Sequence, residues 1–238
     1  MADEEAEVEE NIPLISIIKT WKFGVLYCLV VCHMFYGYYM SNQFKQYGFT
    51  GGLDDKTLTL IGSCGALFNG CFKIFWATLL DYYNFKPVYS VVLCIQISML
   101  IAVHWAVNNA YTYFIVICLS FMCDGSITSM IPVVTNRVFG VKRGASVYGY
   151  MFSTFGVSAM LGALLVKTCQ QPLGFTGMLL ICTGFTLVSA VITFFYQFYK
   201  ISYLDLARKV GYHRESVHFS EKNTNANILD SPLASERK

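Results

Sequence analysis

Two charged side chains in this sequence sit where charge is costly. Lys73 lies inside the apolar run 58–80 and Asp124 inside the apolar run 111–134. Ionisable groups in such runs mark a pathway, a cavity or a partner charge. A lysine ammonium at such depth can hold a small anion, and a carboxylate near it can exchange a proton. Counted at 1.5 Å per residue from the basic ends of their runs, Lys73 lies about 11 Å deep and Asp124 about 15 Å deep. That match leaves two readings open. Either the pair neutralises itself and fixes helix register, or Lys73 faces a cavity and binds an anion with Asp124 as its proton partner. A thin polar stripe accompanies them, and the candidate binding set is Lys73, Asn69, Asp124, His33, Tyr36 and Thr154. His33 stands near Tyr36, Tyr38 and Tyr39, as a proton relay or as a ring held by a neighbouring hydroxyl or carbonyl.

Other chemistries find little footing. Cys28 and Cys32 share a helix face, since positions four apart are neighbours, and with His33 beside them look like a ligand cluster, but no paired cysteine motif, haem signature or second ligand pair accompanies them. Cysteine serves as a small apolar residue in such helices, so neither a metal nor a disulfide is expected. No paired carboxylates, nucleophile elbow or phosphate loop appears, which argues against an enzyme and against a cofactor. The net charge of +2 carries no basic run interleaved with aromatics, so no nucleic-acid partner is implied.

The elements that must position these residues are membrane-spanning helices. Of 238 residues, 55% are hydrophobic and 13% charged, against about 25% charged in an ordinary soluble domain. A spanning helix needs about 20 apolar residues, and six stretches qualify: 23–44, 58–80, 87–105, 111–134, 147–166 and 175–199. Their apolar runs are continuous rather than alternating, which selects helices over barrel strands. Among the aromatics of these spans, most are expected to face lipid or the interface. Gly149, Gly156 and Gly162, with Ser158, read as close-packing surfaces. The chain divides into an acidic tail, 1–20, a bundle, 21–200, and a polar tail, 201–238. After the last span, 199–212 reads as an interfacial helix with Leu204 and Leu206 offered to lipid.

An even number of crossings puts both tails on one side. That side collects Lys19, Lys22, Lys86, Arg137, Lys142, Arg143, Lys200, Arg208 and Lys209, while the other holds Lys45, Lys56 and Lys167. The excess of basic residues predicts that both tails face the cytoplasm, or the matrix in a mitochondrion. The start, Met1–Asn11, carries six acidic residues and fits neither a secretory signal nor a standard mitochondrial presequence.

Three motifs carry a resemblance. Asn69-Gly70-Cys71-Phe72-Lys73 followed by Trp76 and Asp81, with Lys86 in the turn beyond, resembles the eighth helix and loop signature of the major facilitator superfamily, in the branch of oxalate/formate antiporters and monocarboxylate transporters. Pro132, Arg137-Val138-Phe139-Gly140, Gly144 and Tyr148-Gly149 resemble its link between the tenth and eleventh helices, and Trp21-Lys22-Phe23 the entry to its seventh. The resemblance covers roughly residues 15–200 and implies an all-α integral membrane protein, a six-transmembrane-helix bundle like one half of a major facilitator fold. It further implies that Lys73, where the branch carries Arg, meets a substrate carboxylate, and that Asp81, Lys86 and Arg137 form a conformational loop. Asp81 at a helix end is expected to accept backbone N–H groups of an adjacent helix start.

Members of that family bind substrate between two six-helix bundles. The resemblance therefore leaves three readings. The bundle pairs with itself or with a separate amino-terminal half and moves a small organic anion. Or it is a non-transporting accessory subunit of a larger membrane complex, for instance in the mitochondrial inner membrane. Or the sequence is part of a longer transporter.

Overall fold

The computed structural model describes residues 12–196, 201–203 and 206–207. In lipid every backbone N–H and C=O must be satisfied within the segment, and long apolar runs without interior breakers meet that demand as helices. Seven are present among the described residues: α1 (Leu14–Ile18), α2 (Trp21–Thr50), α3 (Asp55–Tyr82), α4 (Phe85–Ala106), α5 (Ala110–Phe139), α6 (Val141–Met151) and α7 (Ser153–Phe195). Side chains supply the starts. Thr20 accepts from the Phe23 amide at 3.4 Å, Asp54 from Thr57 at 3.3 Å and Asn109 from Tyr111 at 2.9 Å. Hydrogen bonds from Thr57 hold the Asp54 carboxyl below the usual carboxylate range.

Five segments are long and apolar enough to cross a membrane, and the last of them, Val141–Phe195, has 55 residues. At 1.5 Å per residue that would be about 80 Å, far more than the roughly 30 Å of hydrocarbon. It crosses twice. Gly174, at φ 64° and ψ −172°, breaks α7 into two arms, 153–173 and 175–195. Both arms lie along α2, because Ser158 donates to the Val31 carbonyl at 3.1 Å and Ser189 to the Leu29 carbonyl at 3.3 Å. Their bend meets the far end of α2, where Phe175 packs on Tyr47 and Gln170 donates to Gln43 at 3.4 Å. The bundle therefore has the six crossings the sequence predicts. The fifth differs in detail: it begins at Val141 and is interrupted at Phe152, where α6 hands over to α7.

Two apolar clusters fill the interior. One, at the basic end, includes Phe23, Leu29, Trp76, Leu80, Tyr89, Ile131 and Phe139; the other includes Phe35, Tyr39, Leu58, Val103, Tyr113 and Cys182. The aromatics of the spans divide between the interior and the outside. Tyr36, Tyr39, Tyr89, Tyr113 and Phe35 are fully buried, because the spaces between helices need large side chains to fill them. Trp21, Tyr82 and Tyr83 are exposed at the basic end, Trp105 and Tyr111 at the other, the positions of two interfacial belts.

The flanks also depart from expectation. Ile12 and Ile17 are fully buried in the basic-end cluster, although they fall in the stretch read as a tail. Leu206 is not offered to lipid but packs there with Ile201, Tyr203 and Ala207; Leu204 lies outside the described residues, as do Met1–Asn11. Ile201 donates its amide to the Val138 carbonyl at 2.8 Å, and the Tyr203 hydroxyl donates to the Phe139 carbonyl. These are terminal carbonyls of α5, left without intrahelical partners at a helix end. Of the glycines read as packing surfaces, only Gly162 serves so: a Cβ there would stand 2.3 Å from the Tyr38 ring, while Gly149 and Gly156 face open space.

Candidate functional site

The centre of the site is an acid held between three helices. Asp124 on α5 is half-buried. Asn69 on α3 donates one amide N–H to Asp124 Oδ2 at 3.2 Å and the other to the Phe121 carbonyl at 3.0 Å. Glycines make this approach feasible. A Cβ on Gly125 would stand 2.7 Å from the Asn69 carbonyl oxygen, and one on Gly37 of α2 would overlap Asp124 Oδ1 at 1.6 Å. Small residues thus let α3 and α2 close on α5, as at other membrane helix crossings. Trp76 extends the α3–α5 seam by donating to the Met122 carbonyl at 3.2 Å.

Lys73 follows Asn69 by four residues and so shares its face. It is half-exposed, and among the described residues it has neither an ion-pair partner within 4 Å nor a hydrogen bond. The direct Lys73–Asp124 pair, one of the two sequence readings, is absent. Lys73 acts on Asp124 only as a neighbouring charge. The ion pair present among the described residues is Lys45 with Asp55, at 3.1 Å across the α2–α3 turn, exposed and therefore of little energetic weight.

Asp124 also lines a cleft of about 200 Å³ between α2, α5 and the first arm of α7. The cleft is walled by Gly37, Tyr38, Ser41 and Asn42 of α2, Thr128 of α5, and Phe155 and Ser158 of α7, with Met34 at its base. Thr154 does not reach it. That residue is fully buried and its hydroxyl donates to the Met151 carbonyl at 2.6 Å. Tyr36 is buried too, and its hydroxyl has no hydrogen-bond partner among the described residues.

His33 points to a different place. Fully buried, it shares a hydrogen bond with the Tyr89 hydroxyl through Nδ1 at 3.1 Å, and Tyr89 shares another with Ser189 at 2.9 Å. The chain ends on the Leu29 carbonyl. This is the hydroxyl-held histidine of the sequence analysis, with a partner from α4 rather than a tyrosine of its own helix.

At the basic end, the loop residues act on helix termini. Arg137 donates to the Leu80 and Tyr83 carbonyls at the end of α3, and Lys86 donates to the Phe194 carbonyl at the end of α7. Cations at carboxyl-terminal helix ends satisfy orphan carbonyls and complement the dipole. Asp81 is exposed and, among the described residues, makes no hydrogen bond or ion pair; the expected bonds to an adjacent helix start are not formed.

Sequence reasoning named Asp124, Asn69 and Lys73, and the structure brings the first two into contact with the third beside them. It missed Gly37, Tyr38 and Ser41 as cleft residues, and Tyr89 and Ser189 as the partners of His33. The spacing of Gly37 and Ser41, four apart among large aromatics, is the only local sign of that wall. No curated protein matches the chain. The family model described as Major Facilitator Superfamily matches residues 24–221.

Proposed function

We propose that this chain, which belongs to the Major Facilitator Superfamily, forms one six-helix wall of a transporter for small organic anions of the monocarboxylate kind. It is a multi-pass integral membrane protein of a family of transporters rather than enzymes, and we assign it no bond-making step. A second six-helix bundle, supplied by another copy, a separate chain or a further part of the same polypeptide, closes the face that carries Lys73, Asn69 and Asp124. The basic end of the bundle lies in the cytoplasm, or in the matrix of a mitochondrion.

One observation carries the reading: Lys73 is a half-exposed cation inside a membrane span, without a hydrogen bond or ion pair among the described residues. A lysine at the centre of a spanning helix costs about 2.5–3.5 kcal/mol on insertion scales. Among the described residues no hydrogen bond or ion pair offsets that cost, and Asp124 acts only as a neighbouring charge, so a bound anion is the fitting counter-charge. Asn69 supports it by holding the Asp124 carboxylate to one side. In proteoliposomes, Lys73→Ala is expected to lower uptake of labelled lactate or formate at least tenfold while the protein keeps its folded, monodisperse state. Uptake at the wild-type rate in that variant removes the binding role of Lys73.

A second reading, a non-transporting accessory subunit of a larger membrane complex, draws on the basic end. Arg137 and Lys86 are committed to helix ends and Asp81 makes no hydrogen bond or ion pair among the described residues, which suits a static bundle better than a moving loop.

A further inference from the structure

The cleft beside Asp124 offers a carboxylate together with several lone pairs. The Thr128 hydroxyl spends its proton on the Gly125 carbonyl at 2.8 Å, and the Ser158 hydroxyl spends its proton on the Val31 carbonyl at 3.1 Å. Asn42 gives an amide N–H to the Tyr38 carbonyl at 2.8 Å. What these three turn toward a ligand is therefore mainly lone pairs. The Asp124 carboxylate is acceptor-only when ionised, and among the described residues it receives one donor, Asn69, on Oδ2. Asp124 is the one charged residue of the cleft wall. Two aromatic rings, Tyr38 and Phe155, complete the lining, and aromatic faces attract cations. Protons to donate remain on the Tyr38 and Ser41 hydroxyls and on the second amide N–H of Asn42.

With a carboxylate as the charged group of this wall among the described residues, the cleft suits a positively charged group rich in N–H donors. Lys73, outside that wall on the Asn69 face of α3, has the opposite character: three donors and no acceptor. The two charges stand close enough to influence each other, yet they do not pair. Opposite charges held apart in a low-dielectric setting are both left undersatisfied, and a ligand carrying the complementary pair satisfies both at once.

We propose that the ligand is a small zwitterion, with its ammonium in the Asp124 cleft and its carboxylate on Lys73. This rests on the anion reading of Lys73 and narrows it to an amino-acid-like class. The cleft volume of about 200 Å³ suits an ammonium head with a short carbon stem rather than a bulky cation.

Three probes with the same three-carbon frame separate the terms: propionate, propylammonium and alanine. Binding is measured by isothermal titration on the full chain in phosphatidylcholine nanodiscs. Alanine is expected to bind about tenfold or more tighter than propionate, a factor that corresponds to about 1.4 kcal/mol. Asp124→Asn, which keeps shape and the Asn69 contact, brings alanine down to the propionate level. Thr128→Val removes one acceptor of the cleft and lowers alanine affinity several-fold, which tests the same claim without touching the carboxylate. If propionate binds as tightly as alanine and both variants are indifferent, the ammonium is not recognised; the zwitterion proposal falls and the anion reading survives. If alanine and propylammonium bind equally and Lys73→Ala changes neither, the anion reading falls and with it the zwitterion. If none of the three binds to a chain that retains its helical circular dichroism, both are overturned.

Discussion

Gly37 shows how much of this site depends on the absence of an atom. A methyl group there would sit 1.6 Å from Asp124 Oδ1, so Gly37→Ala must push α2 away from α5 or turn the carboxylate out of the cleft. Overpacking of this order costs about 1–3 kcal/mol. The variant is expected to lower the unfolding midpoint in a mild detergent and to weaken ligand binding. Gly24→Ala, on the same helix with nothing within 4 Å of the added carbon, is the control; it should be neutral or gain about 0.5–1 kcal/mol from reduced backbone entropy. If both variants melt with the wild type, the close approach at Asp124 is not a constraint in solution. At this scale the charged residues were legible because hydrocarbon makes a charge conspicuous, and Lys73, Asp124 and Asn69 follow from that alone. Gly37, Tyr89 and Ser189 were not. Their roles depend on which helix stands opposite, and neither spacing nor polarity states that.

The helices themselves were the most legible part, since a continuous apolar run in lipid has one backbone solution. Five of the six crossings are where hydropathy places them, and the turn chemistry agrees, as with Gly52 at φ 80° between α2 and α3. The fifth crossing was misjudged because α6 is the least apolar stretch of it: Lys142, Arg143 and Gly144 dilute the signal before the continuous run begins. The final bend is sharper than composition suggests. Gly174 occupies a region of backbone space essentially reserved for glycine, in which another residue costs of order 1–3 kcal/mol. Gly174→Ala is therefore expected to destabilise the hairpin by about that amount, read as a lower midpoint of thermal unfolding, although no neighbour lies within 4 Å to clash with the new carbon. An unchanged midpoint shows that the two arms of α7 can bend elsewhere.

For the whole molecule the distribution of exposure is the leading fact. The Asp124 cleft opens between α2, α5 and the first arm of α7, and Lys73 is half-exposed on α3. Elsewhere α3, α4 and the second arm of α7 present Leu67, Ile74, Ile101, Leu180, Val191 and Phe194 outward, as lipid or another bundle requires. In the proposed transporter a facing bundle completes this wall, so gentle extraction followed by intact-mass measurement should give a particle of about two six-helix bundles. A far larger particle of fixed stoichiometry supports the accessory reading, and a lone bundle that still takes up substrate excludes the need for a second wall. The basic end has a consequence of its own for how the protein is made. The carbonyls that close α5 are met by Ile201 and Tyr203, the latter a sequence separation of 64 away. During synthesis the fourth crossing must therefore wait, its last turn served only by water and headgroups, until two more crossings have left the ribosome. Only then can the bundle lock, which makes its assembly an event of late translation rather than of stepwise insertion.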